Sequence, residues 1–488
     1  MFFSAGNFAE ALHIHKVSEL DGVGRRMPLT MTALTLAIFG MIGIPPLAGF
    51  VTKWYLGNGA IEQGQFWVLI VLMISSLLNA MYLLPIVYRG WFKQPKVDWS
   101  AKPDSSKLEI YWMLLIPPLI TISFVVLAGL FAASGYSPLY WAELIASKEF
   151  ISISSLINTL PMATSFVPWL IILAPLFMAG VIFLFKNTKT LNTAVSFCAL
   201  PAIYFGLSDV DYVSVTSYVF FGSDLAVNNS TKLFLLLAGT LWFLAMLYSR
   251  FYMAKDPRQS TFTIFMLTAM SGCFGLTLSQ DIYGFITFFT LMSLSSFVLV
   301  VHQLSDEARE AAKSYIRWVI IGEVLLFTGF CLLNWYSELF DDIGYVWITS
   351  LIIVFGFGSK VGIFGMHWWL PKAHPVAPVP ASAVLSGFMV KAGVIGWIRF
   401  VPQTPEPLEM MGYLLVGLGL VSTFFVAVKG LLQQNPKAVL AYSTVSQMGI
   451  LIVAFGATFL IPENREALLA AIVIYSIHHG MARSALFF

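Results

Sequence analysis

The chain has 488 residues, of which 58% are hydrophobic and 11% are charged. Water-soluble domains contain roughly 45–50% apolar and about 25% charged residues, so this composition excludes an ordinary soluble fold and indicates an integral membrane protein. The formal net charge of +2 gives no sign of a nucleic-acid-binding surface or of an acidic tail.

Long apolar runs along the chain predict the membrane-spanning helices. A spanning helix needs about 20 mostly apolar residues, and about fourteen runs approach this length. In chain order they are 28–50, 66–88, 110–134, 166–186, 190–207, 233–249, 260–277, 283–302, 316–336, 346–366, 384–400, 411–429, 437–460 and 467–488. The sequence therefore predicts an all-α, polytopic protein in a lipid bilayer.

Charges in the connectors predict the orientation. Lysine and arginine collect in alternate connectors, for example at Arg89 and Arg250, as they do on the cytoplasmic side of membrane proteins. Acidic residues such as Asp209 and Asp341 collect in the opposite connectors. Both termini are therefore expected on the cytoplasmic side, and nearly all of these charges are interpreted as solvated loop ends.

Two segments carry prolines that interrupt helices. In FGMIGIPPLAGFVTKWYL, Pro45 and Pro46 remove backbone donors, and Lys53 follows the break. In MHWWLPKAHPVAPVPASA, four prolines follow Lys360. Broken helices at membrane depth are tolerated where they line a cavity, and a corresponding pair in two halves of a chain points to an ion site. The alternative for each segment is a proline-rich loop outside the bilayer.

Ionisable side chains inside the apolar runs are the candidate functional groups, because each costs about 2.5–3.5 kcal/mol to insert. The charge on a buried amine depends on the charges near it, so moving a neighbouring carboxylate or cation can load or release its proton. These candidates are Lys360, Lys391, Glu323, His479 and Arg483.

The candidates differ in the alternatives that compete with a functional role. Glu323 lies near a helix end and could simply pair with Arg317. His479 and Arg483 are four residues apart, so a helix places them on one face, where they can share a hydrogen-bond chain. A packing or lipid-facing role is the alternative for that pair.

No cofactor or metal site is expected. The cysteines lie far apart in apolar runs and are interpreted as buried small side chains. The histidines form no convincing metal set, and no phosphate-binding glycine loop, nucleophile elbow, haem motif or iron–sulfur cysteine cluster is present.

Four long segments resemble a single family. They are GRRMPLTMTALTLAIFGMIGIPPLAGFVTKWYL, GSKVGIFGMHWWLPKAHPVAPVPASAVLSGFMVKAGVIGWIRF, NPKAVLAYSTVSQMGI and HHGMARSALFF. They are similar to the antiporter-like subunits shared by Mrp-type cation/proton antiporters and the membrane arm of respiratory complex I, with the D-type Mrp subunit as the nearest match. The resemblance implies fourteen helices with two inverted five-helix repeats, each containing a broken helix, and a central file of lysines and water.

The resemblance also implies roles for individual residues. Lys360 matches the broken-helix lysine of the first half, Lys391 matches the linking lysine, and His479 with Arg483 matches the histidine–lysine step. Lys53 matches the terminal lysine or glutamate of the second broken helix.

Two positions depart from the family pattern. Arg483 stands where the family usually has lysine, and an arginine does not readily release its proton. Thr290, in FITFFTLMSLSSF, stands where the family has a glutamate paired with the first lysine, and threonine holds no charge. Glu323 resembles an acidic position on the next helix of some members, so we expect it to be the anion that faces Lys360.

The order of the matching segments is a third departure. The end of the chain, HHGMARSALFF, is where the family sequence would continue into something like its beginning, MFFSAGNFAEALHIHK. Residues 1–134 therefore resemble the last three helices of such a protein, and residues 166–488 resemble the first eleven. Residues 135–165 are less apolar and are expected to form a connector with a short interfacial helix. A permuted or fragmentary chain and a fusion of two subunits both fit this order.

These observations predict an ion-transporting subunit, not itself an enzyme, that moves protons in exchange for sodium or another monovalent cation. Its expected setting is a hetero-oligomeric complex of the bacterial cytoplasmic (inner) membrane. The alternative is a proton-pumping subunit of a redox-driven complex I-like or membrane hydrogenase assembly, which has the same lysine file. Thr290, Arg483 and the segment order also favour a structural scaffold with a defective channel, and a solute or bicarbonate transporter of the same family stays open.

Overall fold

The computed structural model describes residues 17–62, 66–95, 112–134, 165–185, 194–216, 222–335, 343–402 and 405–487, with a few isolated residues besides. The chain forms two compact units, Met1–Leu160 with Ser217–Gly222, and Pro161–Thr216 with Ser223–Phe488. The predicted connector 135–165 lies almost entirely outside the described residues.

The first unit contains α1 (Pro28–Ile42), α2 (Ala48–Glu62), α3 (Trp67–Phe92) and α4 (Trp112–Leu130). The α1 helix ends at Gly43, whose φ of +93° is a left-handed conformation that favours glycine. Pro45 and Pro46 lie in the gap before α2. The predicted break is therefore confirmed, and run 28–50 is not one continuous helix.

The second unit contains the remaining helices and one hairpin. The helices are α5 (Val167–Phe185), α6 (Leu200–Gly206), α7 (Asn229–Tyr252), α8 (Gln259–Leu278), α9 (Ile282–Val301), α10 (Asp306–Trp335), α11 (Ile343–Val361), α12 (Leu370–Val376), α13 (Val379–Val384), α14 (Lys391–Phe400), α15 (Pro405–Leu431), α16 (Pro436–Leu460) and α17 (Arg465–Phe487). Strands β1 (Tyr212–Thr216) and β2 (Ser223–Val227) pair antiparallel with Tyr212 opposite Val227, a hairpin that the sequence did not predict.

The helical content confirms an all-α, polytopic membrane protein. Among the described residues, ten helices are long and apolar enough to cross a membrane by length and composition. The four predicted runs outside this set are 28–50, which is divided, 110–134 and 190–207, which form shorter apolar helices, and 467–488, which forms α17.

Polar side chains fix the ends of the helices around the site. At the start of α9, the Asp281 carboxylate accepts a hydrogen bond of 2.6 Å from the amide of Gly284, which satisfies a free donor of the first turn. At the end of α8, the Arg399 guanidinium places a cation at the negative end of the helix. It donates to three carbonyl oxygens there, those of Leu276, Thr277 and Ser279.

The core between α9, α10, α11 and α14 is aromatic. Five phenylalanine rings contact one another at centroid distances of 4.9–6.3 Å, namely Phe285, Phe289, Phe330, Phe357 and Phe400. Gly396 permits the close approach, because a Cβ there would lie 2.3 Å from the Phe357 ring. This packing holds α11 against α14, the helices that carry Lys360 and Lys391.

Candidate functional site

The second predicted break separates α11 from α12. After α11 ends at Val361, Gly362 and Gly365 adopt φ values of +87° and +93°, and a 3₁₀ turn at His367–Trp369 leads into α12. Leu370 and Ala373 in α12 are fully buried. The proline-rich segment is therefore packed inside the unit, which confirms the break and excludes an external loop.

Lys360, near the end of α11, has neutral hydrogen-bond partners. The side chain is 3% exposed, and Nζ donates to the Tyr315 hydroxyl at 2.7 Å and to Ser293 Oγ at 3.2 Å. The rings of Tyr315 and Trp369 lie 5.0 and 5.9 Å from Nζ, within the range of cation–π attraction. Lys360 therefore points into the protein interior rather than into lipid headgroups.

Glu323, on α10, is hydrogen-bonded by Thr290, one of the two residues that depart from the family pattern. Its Oε2 accepts a hydrogen bond of 2.6 Å from Thr290 Oγ1, whereas Oε1 is shielded from solvent with no hydrogen-bond partner among the described residues. Glu323 is near enough to Lys360 for electrostatic interaction, but no ion pair of 4.0 Å or less joins these two described side chains. Arg317, the alternative partner, donates instead to the carbonyl of Lys313.

A row of hydroxyl groups lies on one face of α9. Thr290, Ser293 and Ser296 are three residues apart, a spacing that places them on the same side of a helix. Thr290 contacts Glu323, Ser293 contacts Lys360, and Ser296 Oγ lies 3.1 Å from Met389 Sδ, two residues before Lys391. The α9 hydroxyl row therefore extends from the carboxylate past the first lysine toward the second.

The α9 hydroxyl row is the part of the site that the sequence-based candidates missed. Its signal is the pattern T-x-x-S-x-x-S within the predominantly apolar FITFFTLMSLSSF. Thr290 was noticed only as a missing glutamate. Buried hydroxyl groups satisfy partners in low-dielectric surroundings, where an unpaired polar group is costly.

Lys391 lies near the middle of the helical span Val379–Phe400, at the start of α14 and two residues after a π-helical turn, Leu385–Met389. A π turn interrupts the regular ladder of amide-to-carbonyl bonds. The carbonyl oxygen of Ser386, inside this turn, accepts from Lys391 Nζ at 2.6 Å. The fully buried Nζ also lies 2.6 Å from Nδ1 of His479.

His479 and Arg483 lie on one face of α17, as their spacing predicted. Arg483 Nε donates to His479 Nε2 at 3.1 Å, and Arg483 Nη2 donates to Ser443 Oγ. The two side chains are 4% and 8% exposed, so neither faces lipid. Lys391, His479, Arg483 and Ser443 consequently form one continuous hydrogen-bonded chain.

Two glycines allow α17 to approach the π turn. A Cβ on Gly480 would lie 2.7 Å from the carbonyl oxygen of Gly387, and a Cβ on Gly387 would lie 2.3 Å from Ser484 Oγ. Real Cβ atoms essentially never approach other atoms so closely. The contact between Lys391 and His479 therefore depends on the absence of side chains at these two positions.

A cavity of about 270 Å³ opens beside this chain of hydrogen bonds. A cavity of about 10–15 Å³ is enough to hold one water molecule, so this cavity has room for several. The residues that line it are Gln447, Tyr475, His478, His479, Ala482 and Arg483.

His374, on α12, is a further buried titratable group near the site. It was considered only as a metal ligand from the sequence, yet it is fully buried and lies near enough to Lys391 and Arg483 for electrostatic interaction. Its position on the second half of the broken segment could have drawn attention to it.

Lys53, on α2, belongs to the first unit. Its Nζ donates to the carbonyl oxygen of Ile42 and to Ser76 Oγ, both at 2.6 Å. Ile42 is the last residue of α1, where carbonyl groups lack intrahelical partners and the helix dipole favours a cation. Both broken-helix lysines therefore donate to neutral acceptors: Lys53 to the end of α1 and to α3, and Lys360 to hydroxyl groups of α9 and α10.

The fold defines a polytopic membrane protein in which two interrupted helices each have a partly or fully buried lysine. A family model described as "NADH:quinone oxidoreductase/Mrp antiporter, TM" matches residues 1–79 and 279–488, and the chain therefore belongs to this family. The resemblance to Mrp-type antiporter-like subunits related to complex I is thereby confirmed.

The relatives include a hydrogenase component and an antiporter subunit. The chain is 31% identical to hydrogenase-4 component B of Escherichia coli (strain K12) over 258 residues, which cover 49% of this chain and 38% of that protein. It is 28% identical to a Na(+)/H(+) antiporter subunit of Alkalihalophilus pseudofirmus over 353 residues, which cover 64% of this chain and 43% of that protein. The chain thus spans roughly two fifths of the length of these relatives.

A solved structure shares the fold. The structure of the Mrp complex from Dietzia sp. DQ12-45-1b contains a chain that superposes with a TM-score of 0.59 at 22% identity, covering 66% of this chain and 37% of that one. This likeness concerns the fold alone.

Proposed function

We propose that this chain is a proton-translocating subunit of a multisubunit Na⁺/H⁺ antiporter. The observation that carries the proposal is the buried hydrogen-bonded chain from Lys391 through His479 to Arg483. Ionisable groups inside a membrane protein are expensive and mark ion pathways. Membership of the family gives this arrangement its context.

In this proposal the buried groups act in sequence. Glu323 and Lys360 load the proton, and Lys391 passes it on. His479 and Arg483 line the exit half. Lys53, in the first unit, takes the terminal role that its match to the second broken helix of the family implies. Each transfer changes the local charge, so neighbouring groups titrate as a coupled set and not independently.

The α9 hydroxyl row supports the first of these steps. Lys360 and Glu323 are not in direct contact, so a proton that passes between them needs intervening groups. Thr290 and Ser293 offer hydroxyls that bond one partner each. Because a hydroxyl both donates and accepts, such groups can relay a proton with the help of water.

The setting belongs to the same proposal. The chain acts in the bacterial inner membrane with other membrane subunits and without catalysing a redox reaction itself. The similarity to a bacterial antiporter subunit and the fold shared with an Mrp complex support this. The ion exchanged for protons is Na⁺, the cation in the name of that antiporter subunit.

The second candidate function is a proton-pumping subunit of a redox-driven assembly. The similarity to hydrogenase-4 component B favours it. Gene neighbourhood separates the two: small antiporter subunits beside the gene favour cation exchange, whereas hydrogenase or quinone-reductase subunits favour redox drive. A direct assay adds either a Na⁺ gradient or an electron donor to vesicles that contain the complex and asks which one moves protons.

The order of segments is part of the proposal as well. We assign residues 1–134 to the last three helices of a family member and 166–488 to the first eleven, joined by connector 135–165. The assignment rests on the order of the resembling segments, and the family model matches residues within both portions, 1–79 and 279–488. A gene rearranged to encode 166–488 followed by 1–134 should then give a transport-competent chain, and failure of this chain to insert stably would contradict the assignment.

The test of function is transport by vesicles that contain the whole complex. Lys391→Ala should reduce Na⁺-dependent proton movement by about 10²-fold or more, the range for removing an acid–base group. Lys372→Ala, at an exposed lysine on α12, is the matched control and should transport normally. Normal transport by Lys391→Ala, with reduced assembly of the complex, would instead support a structural scaffold.

A further inference from the structure

The imidazole of His479 lies between two basic side chains, and each ring nitrogen contacts one of them. Nδ1 lies 2.6 Å from Lys391 Nζ, and Nε2 accepts from Arg483 Nε at 3.1 Å. Other donors of the two basic groups are also engaged, Nζ with the carbonyl oxygen of Ser386 and Nη2 with Ser443 Oγ. The positions of the protons in this cluster follow from which atoms can accept.

Arg483 determines the tautomer of the ring. A guanidinium carries a hydrogen on every nitrogen and has no acceptor, and it stays protonated in proteins. The ring nitrogen that faces Arg483 Nε must therefore be bare. A neutral imidazole has one N–H group, so the proton of His479 resides on Nδ1.

The tautomer in turn determines the state of Lys391. A protonated Nδ1 is a donor toward Nζ, and only an uncharged amine has the lone pair to accept it. Such an amine still has N–H groups, one of which donates to the carbonyl oxygen of Ser386. All three hydrogen bonds are satisfied together only when Lys391 has already lost its proton.

A charged Lys391 is incompatible with the same arrangement. An ammonium group can only donate, so Nδ1 would have to be bare and the ring proton would move to Nε2. The Nε2–H group would then face the Nε–H group of Arg483, and two donors cannot form a hydrogen bond. Loading Lys391 therefore requires Arg483 to leave the ring, a restriction that a lysine at position 483 would not impose, because a neutral lysine can accept.

We infer that Arg483 is a positioning residue that closes the proton path at His479 whenever Lys391 is discharged. This inference rests on the proposed function and deepens it. With Arg483 displaced, the Nζ–H bond of Lys391 breaks as the Nδ1–H bond forms, while the Nε2–H bond breaks and its proton passes to water. The adjacent cavity of about 270 Å³ can hold that water.

This transfer produces the arrangement to which Arg483 can donate a hydrogen bond. Lys391 is then neutral, Nδ1 carries the ring proton and Nε2 is bare, so the guanidinium can bond the ring again. A proton returning from the cavity would need Nε2, which Arg483 now covers. The arginine that departs from the family pattern thus resists back-flow instead of carrying the proton itself.

The first measurement is the tautomer of His479 in the full-length chain in lipid. ¹⁵N nuclear magnetic resonance of histidine-labelled protein near neutral pH should show a protonated Nδ1 and a bare Nε2, with the signal assigned by its loss in His479→Gln. A wild-type spectrum with the proton on Nε2 would overturn the inference without reference to transport. This readout does not depend on whether any Arg483 variant folds.

The second measurement is passive proton flux in vesicles that contain the complex, after a pH jump with no Na⁺ gradient. Arg483→Gln should raise the flux about tenfold or more, the factor that one charge-assisted hydrogen bond is worth. Arg465→Gln, the same change at the start of α17, should leave the flux at the wild-type value. An unchanged flux in assembled Arg483→Gln would overturn the inference, whereas failure of the proposed function would appear as normal driven transport in Lys391→Ala.

Discussion

The contact between α17 and the π turn allows one perturbation to be worked out from distances. In Gly480→Ala, the new Cβ would lie 2.7 Å from the carbonyl oxygen of Gly387, whereas ordinary contacts begin at 3.4 Å. The obstacle is a backbone atom, so no side-chain rotation relieves it. The two segments must separate by roughly 0.7 Å, which overpacking of this kind makes costly by about 1–3 kcal/mol.

The separation acts directly on the proposed relay, because His479 is the neighbour of Gly480. If the displacement is passed on in full, the distance from Lys391 Nζ to His479 Nδ1 grows from 2.6 Å to roughly 3.3 Å, beyond the usual limit of about 3.2 Å. Misplacement by about 1 Å can cost 10²-fold in rate, so we expect a loss of roughly tenfold.

The assay is Na⁺-driven proton movement in vesicles, with the amount of assembled complex measured in parallel. Gly417→Ala is the control, since a Cβ at Gly417 meets no atom within 4 Å. We expect Gly417→Ala to transport normally and Gly480→Ala to assemble but transport slowly. Wild-type transport by Gly480→Ala would show that the Lys391–His479 distance does not limit the rate.

Three further predictions concern other parts of the second unit. Thr290→Val removes the hydrogen-bond donor to Glu323. Because a hydrogen bond to a charged group is worth about 1.5–3 kcal/mol, the initial transport rate should fall roughly tenfold, whereas Thr290→Ser should retain most activity. Equal initial rates for Thr290→Val and the wild type would refute this. Arg399→Gln removes the guanidinium that donates to three carbonyl groups at the end of α8. We expect the free energy of unfolding to fall by about 3 kcal/mol, measured by thermal unfolding. An unchanged thermal midpoint would contradict this prediction. Burial lowers the pKa of His302, just beyond α9, although Asp256 opposes this shift. His302 therefore binds a proton more tightly in the unfolded chain than in the folded one. The free energy of unfolding is at its maximum above about pH 6.5 and declines below it. His302→Gln should reduce the loss of thermal midpoint between about pH 7.5 and 5.5, and identical losses in both proteins would count against the assignment.

Sequence reasoning recovered the features that depend on local composition. Apolar runs of spanning length predicted helices because backbone groups in lipid must be satisfied within the segment. Prolines predicted that both segments are broken. The helices themselves end at glycines with positive φ, Gly43 and Gly362, and Pro371 and Pro375 lie within α12. Lys360 and Lys391 were identified because a charge inside an apolar run is rare, and both are buried.

Predictions that required partners were less complete. Glu323 was expected to be the anion that faces Lys360. It lies near enough for electrostatic interaction, but its carboxylate bonds Thr290 and no ion pair joins these two described side chains, which the sequence did not predict. Lys391 was expected in the middle of a helix and lies near the middle of the span Val379–Phe400, but the π turn that precedes it was not predicted. The hydroxyl row of α9 was missed although its spacing is visible in the sequence, because Thr287 and Ser295 lie in the same helix and only the partners show which hydroxyl groups belong to the site.

The sequence by itself determined the class of the protein, the positions of its breaks and the identity of its buried charges, because each of these follows from chemistry within one helix length. Only the tertiary structure decided which atoms meet. Lys391 and His479 are 88 residues apart in the chain, Glu323 and Thr290 are 33 apart, and Arg483 and Ser443 are 40 apart. Such contacts depend on how closely helices pack, which here is set by single glycines, and the proton positions at His479 follow from them alone.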